Sequence, residues 1–186
     1  NIVKIATEHN YHNNNQKYIN DLIKSLKGFD YLVVVSKELQ RYYQNKIDNT
    51  KCIYIPNVID KIYENPKYNT NRNLISVGRL ESEKGFSDLI DIVNLLKEQI
   101  PDIKLNLIGD GSLKEELNNK IKNLNLQDNI IMHGYLNHEE IEKIMLESSL
   151  YVMTSLTESF GLVLIEAMSY GVPCIAFDSA SGAKEV

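Results

Sequence analysis

No tryptophan occurs among the 186 residues, and there are only two cysteines, four prolines and four phenylalanines. Two cysteines far apart in sequence, Cys52 and Cys174, each inside an apolar run, read as small buried thiols of a reducing compartment rather than as a disulfide. No apolar run approaches the roughly 18–20 residues that span a bilayer. No charged-then-apolar leader opens the chain, which begins Asn1-Ile2-Val3-Lys4. Cations are in the minority, 20 Lys and Arg against 25 Asp and Glu, for a formal charge of -5. That balance argues against nucleic acid or an anionic membrane surface as the main partner. With 43% hydrophobic and 24% charged residues, the composition is that of an ordinary globular chain. A cytoplasmic enzyme or binding domain is expected.

What is present is a rhythm of short apolar runs and helical patterns. Strands are expected at Ile2–Ala6, Tyr31–Val35, Lys51–Ile55, Asn73–Val77, Ile103–Ile108, Ile130–His133, Leu150–Met153 and Pro173–Phe177. Between them, helices are expected at Asn14–Leu26, Lys37–Asn45, Ser87–Ile100, Ser112–Asn123, Glu139–Glu147 and Phe160–Tyr170. In Ser87–Ile100 the residues Leu89, Ile92, Val93, Leu96 and Ile100 share one face. Repeated β-α-β units predict an α/β, Rossmann-like parallel sheet with helices on both faces. The stretch from Ile55-Pro56-Asn57 through the polar Glu64–Arg72 breaks the rhythm and reads as a linker between two sheets.

Chemistry is expected at strand C-termini. Gly109-Asp110-Gly111 follows a strand and opens a helix. Lys114 stands where the third glycine of a dinucleotide fingerprint would be, and no G-K-[ST] occurs, so the two glycines read as turn residues. In Gly78-Arg79-Leu80-Glu81-Ser82-Glu83-Lys84-Gly85 two cations lie just past a strand. They can neutralise a diphosphate, or simply pair with Glu81 and Glu83 in a solvated loop. The strongest feature is Glu158-Ser159-Phe160-Gly161-Leu162 followed by Glu166. Read as continuous helix, eight residues separate the carboxylates by about 12 Å. The amides of Phe160, Gly161 and Leu162 would form an anion site between them. Glu166 sits in a very apolar helix, where an acid needs a reason. His12 and His138 have no partner pattern and read as surface residues.

In series, these pieces resemble the GT-B glycosyltransferases, in particular the retaining family called group 1 or family 4. The resemblance runs through Gly78-Arg79-Leu80, Lys84-Gly85, Gly109-Asp110-Gly111, His133-Gly134, Glu158-x7-Glu166, Ala167 to Pro173, and Ser181-Gly182-Ala183-Lys184-Glu185. It implies that Gly78, Arg79 and Lys84 bind the diphosphate of a nucleoside-diphosphate sugar. Phe160, Gly161 and Leu162 would give backbone contacts, Glu158 would meet the donor-sugar hydroxyls, and Glu166 would hold the ribose. Gly109, Gly111, His133 and Gly134 would lie in the nucleotide region. Thr7-Glu8-His9-Asn10 looks like the end of the family's acceptor domain, where His9 would stand beside the reacting sugar.

The resemblance further implies a retaining hexosyl transfer, UDP-linked, to a glycan or lipid-linked acceptor. No D-x-D pair is present, so no metal and no other cofactor is expected, and nucleic acid is not a partner. Peripheral membrane association would run through the acceptor domain, at the inner face of the cell membrane. The alternative is a non-catalytic nucleotide-sugar binding or accessory module, which would not need Arg79, Lys84, Glu158 and Glu166 all intact. Two Rossmann-like domains need more than 186 residues, and no initiator Met is present. Residues 1–56 are therefore expected to be the tail of the acceptor-side domain and 57–186 a truncated donor domain, unable to transfer sugar alone.

Overall fold

The computed structural model describes residues 2–9, 15–59, 62–64, 67–178, 183–184 and 186. The chain forms two compact units. One is Asn1–Val58 with Thr157–Leu162 and Asp178–Val186; the other is Ile59–Leu156 with Val163–Phe177.

In the first unit, strands β1 (Ile5–Glu8), β2 (Tyr31–Val34) and β3 (Lys51–Tyr54) form a parallel sheet in that order, joined by helices α1 (Gln16–Ser25) and α2 (Lys37–Tyr43). Right-handed crossovers stepping one way place both helices on one face. There Ile19, Leu32, Val34, Leu39 and Tyr43 are buried, while Ile5 and Ile53 on the opposite face are 56% and 37% exposed. Asn15 and Ser36 cap the two helices, accepting from the amides of Tyr18 and Leu39. The first strand begins three residues later than the apolar run suggests. Pairing starts at Ile5 opposite Tyr31, so Ile2 and Val3 have no strand beside them and stay exposed. Asn14, expected in the first helix, lies outside the described residues, as do His12 and Asn10.

The second unit contains β4 (Asn73–Val77), α3 (Phe86–Gln99), β5 (Lys104–Ile108), α4 (Lys114–Asn123), β6 (Ile130–Gly134), α5 (His138–Leu146), β7 (Leu150–Met153), α6 (Leu162–Ser169, from Val163 onward) and β8 (Cys174–Ala176). All pairs are parallel and the strand order is β6-β5-β4-β7-β8. The order reverses at β4. The right-handed crossover rule then puts α3 and α4 on one face and α5 and α6 on the other, with a crevice between the C-terminal ends of β4 and β7. This is the Rossmann-like sheet expected from sequence.

The α3 seam is rotated from its expected position. Phe86, Leu89, Ile90 and Val93 are fully buried, with Leu96 and Ile100 partly so, while Ile92 lies at the margin. They close on Leu105 and Leu107 of β5 and on Leu117 and Ile121 of α4, the kind of apolar burial that contributes about 25 cal/mol per Å². Asn137 and Glu140 form a capping box at the start of α5, with bonds of 3.0 and 2.9 Å. Asn137→Ala is expected to cost about 1 kcal/mol. That lowers the melting temperature by about 2–8 °C. Calorimetry showing no change would remove the cap from the stability of this unit.

No described helix is long and apolar enough to cross a membrane. Cys52 and Cys174 are free thiols and only half-buried, a partial correction to the expected burial. Desolvation pushes both thiols up, Cys174 to about 11, so neither is a ready nucleophile.

Candidate functional site

In the second unit, the loop after β4 and the loop after β5 are locked together. The Leu80 amide donates to the Asp110 carbonyl (2.9 Å), Leu113 to Leu80 (3.0 Å), and the Ser112 amide and hydroxyl both reach the Glu81 carboxylate (3.0 and 2.6 Å). Those bonds hold the Glu81 carboxyl below the usual carboxylate range. Two glycines make the approach possible. A Cβ on Gly109 would meet the Gly78 carbonyl oxygen at 1.8 Å, and one on Gly111 would meet that of Leu80 at 2.6 Å. Their reading as turn glycines stands, and their role is close backbone approach.

Arg79 follows directly. Its guanidinium pairs with Glu83 at 2.9 Å and is 73% exposed. Of the two acids expected as loop partners, Glu83 takes Arg79 while Glu81 is turned to Ser112. The stem of Lys84 lies over Gly78, whose added Cβ would sit 3.7 Å from Lys84 Cδ, so the loop brings Gly78, Arg79 and Lys84 together. A short 3₁₀ turn, Ser82–Lys84, which the residue pattern does not predict, makes this fold-back. It ends at Gly85 with φ 63°, where a Cβ would strike the Thr154 carbonyl oxygen at 2.2 Å.

Two hollows open at the end of β4. The first, about 230 Å³, is lined by Val77, Gly78, Arg79, Ile108, Gly109, Asp110, Tyr135, Leu136 and Ile141. The second, about 450 Å³, is lined by Ile59, Val77, His138, Ile141, Met145, Val163, Glu166, Ser169 and Tyr170. Val77 and Ile141 border both, so the hollows adjoin at the crevice where the strand order reverses. Arg79 serves the first and Glu166 the second. Burial pushes the Glu166 carboxyl above the usual range, against the opposing influence of His138. His138, read as a surface residue, is exposed but lines the Glu166 cavity.

His133 is placed differently from the expectation. Its Nε2 is 2.9 Å from the Asn106 side-chain oxygen, and it lines neither hollow. Partial burial pushes its imidazole down. The backbone takes its place at the site: the Gly109 amide donates to the Gly134 carbonyl (2.8 Å), and Tyr135 and Leu136 wall the first hollow.

The segment before α6 needs a larger correction. Helix begins at Leu162 rather than Phe160, because Gly161 has φ 80°; Phe160 is buried at 5% exposure. The leading amides are therefore those of Gly161, Leu162 and Val163. Only the residues from Leu162 to Glu166 are helical, a rise of about 6 Å, so the 12 Å separation of the carboxylates does not follow. Glu158, Phe160, Gly161 and Leu162 belong to the first unit and Glu166 to the second. Glu158 is half-buried in the loop after β7. His9, in the first unit, is exposed at the end of β1, beside the buried Glu8, whose carboxylate accepts from the Tyr18 hydroxyl at 2.5 Å. Of the motif near the C-terminus, Ser181, Gly182 and Glu185 lie outside the described residues, and Lys184 pairs with Asp178 at 2.9 Å.

Residues 58–186 match the family model described as glycosyl transferases group 1. The chain belongs to the group 1 glycosyltransferases. An uncharacterized glycosyltransferase of Haemophilus influenzae is 31% identical over 158 residues, 84% of this chain and 44% of that protein. The lipopolysaccharide 1,6-galactosyltransferase of Escherichia coli K12 is 33% identical over 135 residues, 68% of this chain and 36% of the relative. Among solved structures, a variant of S. aureus TarM, in complex with fondaparinux, alpha-GlcNAc-glycerol and UDP, superposes with a TM-score of 0.87 at 26% identity, covering 98% of this chain and 38% of TarM. The chain thus spans less than half the length of each of these relatives. As a group 1 glycosyltransferase chain, it keeps the parallel-sheet architecture of that fold, and the hollows lie where such sheets take ligands.

Proposed function

We propose that this chain supplies the donor-binding part of a retaining hexosyltransferase. It moves a sugar from a nucleoside-diphosphate sugar, UDP-linked, to a glycan or lipid-linked acceptor, without a metal. Residues 57–186 form the donor domain and residues 1–56 the acceptor-side tail. The observation that carries this reading is the pair of adjoining hollows at the end of β4, with Arg79 at one and the half-buried Glu166 in the other. A carboxylate cavity repels phosphate and suits hydroxyls; an exposed guanidinium beside a lysine suits a diphosphate. The presence of UDP in the TarM complex supports the choice of base.

In the reaction, the bond between the sugar's anomeric carbon and the diphosphate breaks while the acceptor hydroxyl attacks the same face. The hydroxyl proton passes to the departing phosphate oxygen. Arg79 and Lys84 stabilise the charge that develops on the leaving diphosphate, and the positioning of the sugar is assigned to Glu158. An acceptor-side role is assigned to His9.

UDP is expected to raise the melting temperature of the chain, because a ligand that binds only the folded state stabilises it. EDTA should leave that shift intact; a shift that vanishes with EDTA overturns the metal-free reading. Glu166→Gln should weaken UDP while raising the melting temperature of the unliganded protein at neutral pH. The sign follows from the raised carboxyl. Ionised Glu166 costs stability above its folded pKa, and the cost is absent below the ordinary carboxyl value. The gain should therefore disappear at acid pH, and a gain equal at all pH would contradict it. Glu158→Gln should alter selection among UDP-sugars more than affinity for bare UDP.

A further inference from the structure

His138 has no part in the reading above, yet two helices aim a stripe of side chains at the cavity that it lines. From α5 come His138, Ile141 and Met145, and from α6 come Val163 and Glu166, with Tyr170 just past its end. Both sets have the spacing of a single helical face. Their only strongly polar members are His138 and Glu166. The Ser169 hydroxyl, also at the wall, donates to the Glu166 carbonyl at 2.7 Å and is committed there. The capping box on Asn137 fixes the backbone immediately before His138, so the imidazole is carried on a rigid helix start.

We propose that His138 is a nucleotide-contact residue that, with Glu166 on the facing helix, clamps the ribose hydroxyls of a nucleoside diphosphate from two sides. The proposal rests on the donor-site reading of this cavity. A carboxylate only accepts hydrogen bonds, so Glu166 alone can take the protons of a vicinal diol but cannot donate to its oxygens. A neutral imidazole brings one donor and one acceptor and completes the set. The two side chains are within electrostatic reach, His138 opposing the upward push of burial on Glu166. Of the other titratable groups on α5, Glu139 and Lys143 are exposed, Glu140 closes the capping box, and Glu142 accepts from the Tyr63 hydroxyl, whose ring lies 4.7 Å from that of Tyr170.

The test is calorimetric titration of the chain with UDP and with its 2′,3′-dideoxy analogue. Wild type should prefer UDP. His138→Ala should weaken UDP by about three- to tenfold, the worth of one hydrogen bond, and leave the dideoxy analogue nearly unchanged. His138→Gln, which keeps a donor and an acceptor, should recover most of the preference for UDP. Unchanged UDP affinity in His138→Ala, or an equal loss for both ligands, overturns the clamp while the donor reading stands. Failure of wild type to bind UDP at all overturns the donor reading and the clamp with it.

Discussion

Gly109→Ala is expected to lower the melting temperature by about 10 °C or more, or to prevent folding of the second unit. The residue has φ 143°, and its Cβ would lie 1.8 Å from the Gly78 carbonyl oxygen, a backbone atom that cannot swing aside. Strain of about 1–3 kcal/mol from the dihedral adds to about 1–3 kcal/mol of overpacking. For a domain of this size each kcal/mol is worth about 2–8 °C. Neighbouring glycines separate the two causes. Gly134→Ala, at φ 74° but with only the Lys114 ammonium at 3.9 Å, carries strain alone and should cost about 1–2 kcal/mol. Gly111→Ala has ordinary φ and a 2.6 Å clash with the Leu80 carbonyl oxygen, and should fall between them. Differential scanning calorimetry ranks the three. If Gly109→Ala melts no lower than Gly134→Ala, close approach of the two loops is not what these glycines provide.

That ranking shows what the sequence could and could not convey. The alternation of strands and helices is legible because a parallel sheet covered on both faces needs continuous apolar runs such as Leu150–Met153. Gly109 is legible as a turn glycine but not as a contact with Gly78, because that contact joins loops from two different strands. Boundaries fail where an apolar residue continues a pattern the backbone has already left. Ile2 and Val3 extend an apolar run ahead of the start of β2, and Phe160 continues a helical period that Gly161 interrupts with its positive φ. His138 is illegible for a stronger reason. Its counterpart, Glu166, reaches the same cavity only because α5 and α6 lie side by side after the strand order reverses. No spacing within either helix records this. His133 errs the other way: it stands beside a motif glycine, but it falls at the register shift between β5 and β6, where its ring meets Asn106.

The double substitution Arg79→Ala with Lys84→Ala is expected to abolish the UDP-induced thermal shift, a loss of about 100-fold or more in affinity. Each cation contributes about 1.5–3 kcal/mol through charge-assisted bonds, and every 1.4 kcal/mol is tenfold. The Arg79–Glu83 pair does not stand in the way. At 73% exposure of the guanidinium it belongs to the class of surface pairs worth about 0–1 kcal/mol, which a diphosphate displaces. Arg79→Lys should retain part of the shift, since charge survives and bidentate geometry is lost. Glu83→Gln should tighten UDP slightly by removing the competitor. Raising the salt concentration should weaken wild-type binding more than that of the double variant, because screening acts on the charges that the variant has already lost. A double variant with an undiminished shift would move the diphosphate away from the loop after β4. The two hollows would then have to be read without Arg79.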